Sequence, residues 1–80
     1  MKTYIFTIEM QNKNNDVEYK TIVGVYAEVE TAKQEATEKL NMQKGVWKGS
    51  WICKLGKGKV ALINKDGYKK VYQIAEYEIK

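Results

Sequence analysis

Apolar and polar side chains alternate from Thr3 to Met10, with Tyr4, Phe6, Ile8 and Met10 on one side and Thr3, Ile5, Thr7 and Glu9 on the other. A period of two predicts a half-buried strand. Gln11 to Asp16 is a run of polar, turn-favouring residues, and after it Val17, Tyr19, Thr21, Val23 and Val25 alternate against Glu18, Lys20, Ile22, Gly24 and Tyr26. This predicts a second strand returning as a hairpin partner. Gly24 in its interior marks a bulge or a point where a bulky side chain crosses the backbone.

The period changes between Glu28 and Met42. Val29, Ala32, Ala36 and Leu40 recur at spacings of three and four, with Glu30, Lys33, Glu35, Glu38 and Lys39 filling the remaining positions. That stripe predicts an amphipathic helix. Thr31 with Gln34 forms a capping-box pattern, Glu28 and Glu30 are alternative starts, and Gly45 is the expected stop. Two of the four stripe residues are alanines, so the helix must lie close to the sheet and meet large side chains there.

Strand periodicity returns after Gly45. Trp47, Gly49, Trp51, Cys53 and Leu55 share one phase, Gly56-Lys57-Gly58 reads as a tight turn, and Lys59 to Ile63 is a short strand apolar on both sides. Asp66-Gly67 is a hairpin signal. The last predicted strand, Tyr68 to Ile79, loses its alternation around Val71, Tyr72 and Ile74, which indicates a bulge near Gln73 or burial on both faces. The order β-β-α-β-β-β with short connections predicts an α+β fold: one domain over residues 1–80, a largely antiparallel sheet, and a single helix on one of its faces.

Composition bounds what such a domain can do. The chain has 80 residues, 44% of them hydrophobic, a net charge of +4, no Pro, one Cys, no His, and 14 Lys without a single Arg. A chain of this size buries roughly 60–65% of its unfolded surface, so its core leaves only a small net stability. No second cysteine offers a disulfide, the N-terminus lacks a signal-peptide apolar stretch, and no run approaches the ~18 apolar residues of a membrane span. A cytoplasmic location without a membrane partner is expected.

Charge is unevenly placed. Residues 1–40 carry five Lys against seven acids, whereas residues 44–70 carry eight Lys against Asp66 alone. AT-rich coding also favours lysine over arginine, so only the clustering is informative. The candidate polyanion-binding residues are Lys48, Lys54, Lys57, Lys59, Lys65, Lys69 and Lys70, with Tyr68 and Tyr72 as exposed stacking partners. Basic sheets with exposed aromatics bind single-stranded nucleic acid through phosphate neutralisation and base stacking. Without arginine, guanine-edge reading is disfavoured, so sequence-tolerant, salt-sensitive nucleic-acid binding is expected. Trp47 and Trp51 are expected beneath the helix, opposite its alanines.

An enzyme is not expected. There is no imidazole base and no guanidinium clamp, Cys53 reads as an inert core thiol, and nothing organises Glu76 and Glu78 into an acid/base pair. No catalytic residue, metal or cofactor is assigned. The Gly56 to Lys59 turn lies between strands and is not a phosphate loop. The alternative to nucleic acid is an acidic protein surface or, more generally, a protein-interaction module of the inhibitor or assembly-subunit kind that phages and mobile elements encode. It would act through the open sheet face or a free edge in the long final strand, by strand addition or as a homodimer.

Overall fold

The computed structural model describes Met1–Ile79. Its elements run β1 (Lys2–Gln11), β2 (Val17–Tyr26), α1 (Val29–Val46), β3 (Trp51–Gly56), β4 (Lys59–Ile63) and β5 (Lys69–Glu78). The five strands form one antiparallel sheet in the order β2-β1-β5-β4-β3. The β-β-α-β-β-β order and the α+β class therefore stand as read from the sequence.

Register fixes the faces. Pairing of Phe6 with Ile74, Ile8 with Tyr72, Tyr72 with Val60, and Ile52 with Leu62 places all of them on the helix side. The core is Phe6, Leu62 and Tyr72, with the Phe6 and Tyr72 rings stacked at 6.3 Å. Ile8, Val23, Tyr26, Ala36, Leu40, Trp47 and Ile74 close around it. Ala32 is fully buried, as a helix lying close to a sheet requires.

Gly24 serves both roles expected of it. The register slips between Phe6 and Thr7 opposite it, and a Cβ there would meet the Tyr26 ring carbons at 2.6–2.9 Å. Beyond the slip the inward phase passes to Tyr26, and Val25 turns outward. In β5 there is no bulge: both of its ladders are regular, and Val71 and Tyr72 are buried on opposite faces.

Four expectations are corrected. The helix starts at Glu28, one of the alternative starts, and not with a Thr31 capping box, and Glu28 makes no side-chain cap. It continues through Gly45 to Val46, and the Trp47 N–H donates to the Gln43 carbonyl at 2.8 Å. The long β5 is not an edge, since β1 and β4 flank it; the edges are β2 and β3. The segment around Lys48 and Gly49 is a turn, not strand, and Gly49 has φ +81°.

The length of the helix has a geometric cause. The chain leaves β2 at one edge beside the Tyr4 end of β1 and must re-enter β3 at the other edge, level with Gln11. The two edges lie about 19 Å apart at the usual strand spacing. An 18-residue helix, ~27 Å long, carries the chain obliquely across. It packs over β2, β1 and β5 and leaves the β3–β4 wing uncovered at the Gly56–Gly58 end.

Candidate functional site

The candidate lysines divide by strand parity and by the two ends of the sheet. On the helix side, Lys54 is exposed on β3, while Lys70 lies against Trp47 with its Nζ 5.9 Å from the ring centroid and donating to Gln43 Oε1 at 2.7 Å. Lys59 and Lys69 are half-buried on the opposite face, and the Lys69 Nζ donates to Asn15 Oδ1 at 2.7 Å. Lys57 stands at the β3–β4 hairpin tip. Lys48 and Lys65 occupy two turns at the other end, where the Lys65 side chain runs beside Gly49. Thus Lys54, Lys57 and Lys59 gather at one end and Lys48, Lys65 and Lys69 at the other; the seven do not form one patch.

The aromatic assignments change more. Tyr72 is only 5% exposed, so its ring is core and unavailable for stacking. Burial, with Tyr19 as a lesser cause, pushes its phenol up to about 12. Tyr68 is half-buried at the entry to β5. The two tryptophans separate: Trp47 joins the core as expected, but Trp51 pairs with Ile63 on the helix-free face and is 51% exposed. Cys53, in phase with Trp51, is half-exposed on that same face and is not a core thiol. A single strand phase does not run from Trp47 to Leu55, because a turn at Lys48 and Gly49 separates Trp47 from β3. The Gly49-Ser50 break in that run was the signal that the phase restarts.

The helix-free face carries two apolar corners separated by a polar band. One corner is Ile5, Ile22, Val25, Ala75 and Tyr77; the other is Ala61, Ile63, Val71, Cys53 and Trp51. Thr7, Gln73 and Lys59 run between them. Ile22 and Val25 are well exposed. On the helix side, the corner that α1 leaves uncovered is a half-open groove of about 940 Å³.

Glu76 and Glu78, which share one side of β5, are exposed and each is met by a cation: Lys2 lies 3.6 Å from Glu76, and the Met1 amino group 3.4 Å from Glu78. Among the described residues no three His, Cys, Asp or Glu side chains come together in a metal-binding arrangement, and no helix is long and apolar enough to cross a membrane. Comparison with known proteins adds no assignment to this geometry: no protein-family model, no curated protein and no solved structure matches the chain.

Proposed function

We propose that the chain is a non-enzymatic protein-interaction module of the cytoplasm that acts through its helix-free sheet face. The observation that carries this reading is the exposure on that face of Ile22, Val25 and Trp51, at 65%, 63% and 51%. Ile22 with Val25 at one corner and Trp51 at the other, across the band of Thr7, Gln73 and Lys59, give the face two separate apolar contact points of the kind a partner's surface buries on association. Trp51 is the natural anchor, since buried tryptophans carry a disproportionate share of interface energy.

The test compares wild type with two surface variants, Trp51→Ala and the pair Ile22→Thr with Val25→Thr, as baits in extract of the source cell. A partner held by wild type at moderate salt and lost with either variant supports the reading. Equal retention by all three, or no partner, refutes it. Nucleic acid remains the second reading, favoured by Trp51 standing at the end of the sheet that also holds Lys48, Lys65 and Lys69. Titration of labelled single-stranded DNA and RNA decides it. Binding that weakens steeply with salt and falls in a Lys48→Ala, Lys65→Ala variant would move the function to that end.

A further inference from the structure

We propose that the groove beside α1 seats an acidic amphipathic helix supplied by a protein partner, at a surface separate from the helix-free face. Between α1 and the β3–β4 hairpin the floor is made by β5 and β4, two strands at ~4.8 Å each or about 10 Å of sheet, which is the diameter of one helix. The groove follows α1 from Val29 to Leu40, roughly 16 Å or three helical turns. Its dimensions are those of a second helix laid beside the first.

Chemistry then selects the kind of helix. The floor is apolar, built from Leu40 on α1, Val60 on β4 and Ile74 on β5. The walls are basic: Lys33 on the helix side, Lys54 and Lys57 on the β3–β4 wing. Lys33 is shared with Glu30 at 3.7 Å, and the groove's own carboxylate, Glu76, is taken by Lys2. Among the described residues no carboxylate lies within salt-bridge distance of Lys54 or Lys57. An occupant that sets an apolar stripe on Val60 and Ile74 while offering carboxylates to both walls satisfies floor and walls together. This is helix-in-groove recognition with a charge signature.

The hairpin that presents Lys57 is held in place. The Gly58 carbonyl accepts a hydrogen bond from the Ile74 N–H at 2.8 Å, which ties the tip to β5. The wing wall is therefore formed before any partner arrives, which lowers the ordering cost of binding.

The probe is a synthetic peptide of about 18 residues, long enough for helicity, with leucines at i, i+3, i+4 and i+7 and glutamates flanking that stripe. Two controls accompany it: the same composition scrambled, and the same stripe with glutamine for glutamate. Binding is followed by calorimetry and by NMR shifts of Leu40, Val60 and Ile74. The expected result is saturable binding with shifts at the groove, at least tenfold weaker for both controls. Binding should also fall at least tenfold in a Lys54→Glu, Lys57→Glu variant whose melting temperature is unchanged. Trp51→Ala should alter it less than twofold, so this proposal and the helix-free-face reading fail separately. Absence of saturable binding, equal binding of the scrambled peptide, or shifts centred on the Trp51 face would overturn it. So would a groove that takes a long-chain fatty acid but not the peptide.

Discussion

One substitution made at two glycines tests the chain path with opposite signs. At Gly45 an added Cβ meets nothing within 4 Å, and the residue lies inside α1. Alanine there gains helix propensity and restricts the unfolded chain, so Gly45→Ala should stabilise by about 0.5–1 kcal/mol. At Gly58 the backbone has φ +70°, and the added Cβ would sit 2.8 Å from the Ile74 carbonyl oxygen. The left-handed conformation costs an L-residue about 1–2 kcal/mol. The neighbouring oxygen is backbone, so relieving the clash strains the Ile74-to-Gly58 hydrogen bond, a further loss of about 1 kcal/mol. Gly58→Ala should therefore destabilise by about 2–3 kcal/mol. At about 4–8 °C per kcal/mol for a domain of this size, the melting temperature should rise by several degrees in the first variant and fall by about 10–20 °C in the second. Thermal and urea denaturation followed by circular dichroism give both values. A Gly45→Ala protein destabilised by 1 kcal/mol or more would show that Gly45 ends the helix in a left-handed conformation. A Gly58→Ala protein within about 0.5 kcal/mol of wild type would refute the docked hairpin.

Other expectations are more direct. Phe6→Ala empties a fully buried site and should cost about 3–5 kcal/mol, leaving little or no cooperative unfolding transition in urea. Alkaline titration should destabilise the fold. Tyr72 is held protonated to about pH 12 whereas the unfolded phenol ionises near 10, so its contribution is complete below pH 10 and is lost as the pH rises towards 12. Tyr72→Phe should flatten that part of the stability profile, read as the urea midpoint against pH. Trp51→Ala should change stability by less than about 1 kcal/mol, because much of the ring is already in water; a loss of several kcal/mol would place it in the core instead.

The strands were legible wherever one face is buried. The alternation read from Thr3 to Met10 lies within one residue of each end of β1, and β4, apolar from Val60 to Ile63, is flanked on both sides by other strands. Legibility failed where phase depends on a partner. Val25 and Tyr26 exchange sides because of a slip in the ladder opposite Phe6, which no periodicity within β2 encodes. Trp51 leaves the core because a left-handed Gly49 restarts the strand, and Tyr72 enters it because β4 and β1 cover it from either side. The clustering of lysines along residues 44–70 was real in sequence. A three-stranded meander sends alternate residues to opposite faces and successive turns to opposite ends, so proximity in sequence did not become one patch in space.

The pairing of β1 with β5 has a consequence for synthesis. The middle of the sheet joins Lys2 to Glu78 and Gln11 to Lys69, so its central ladder is made from the first and last strands of the chain. While the chain is being translated, the β1–β2 hairpin and α1 can exist only as an unfinished half, with Phe6 lacking the Tyr72 ring it stacks upon. Contacts so distant in sequence make folding slow for a domain this small. Until β5 leaves the ribosome, the inner edge of β1 stands open, ready to pair with any other strand it meets.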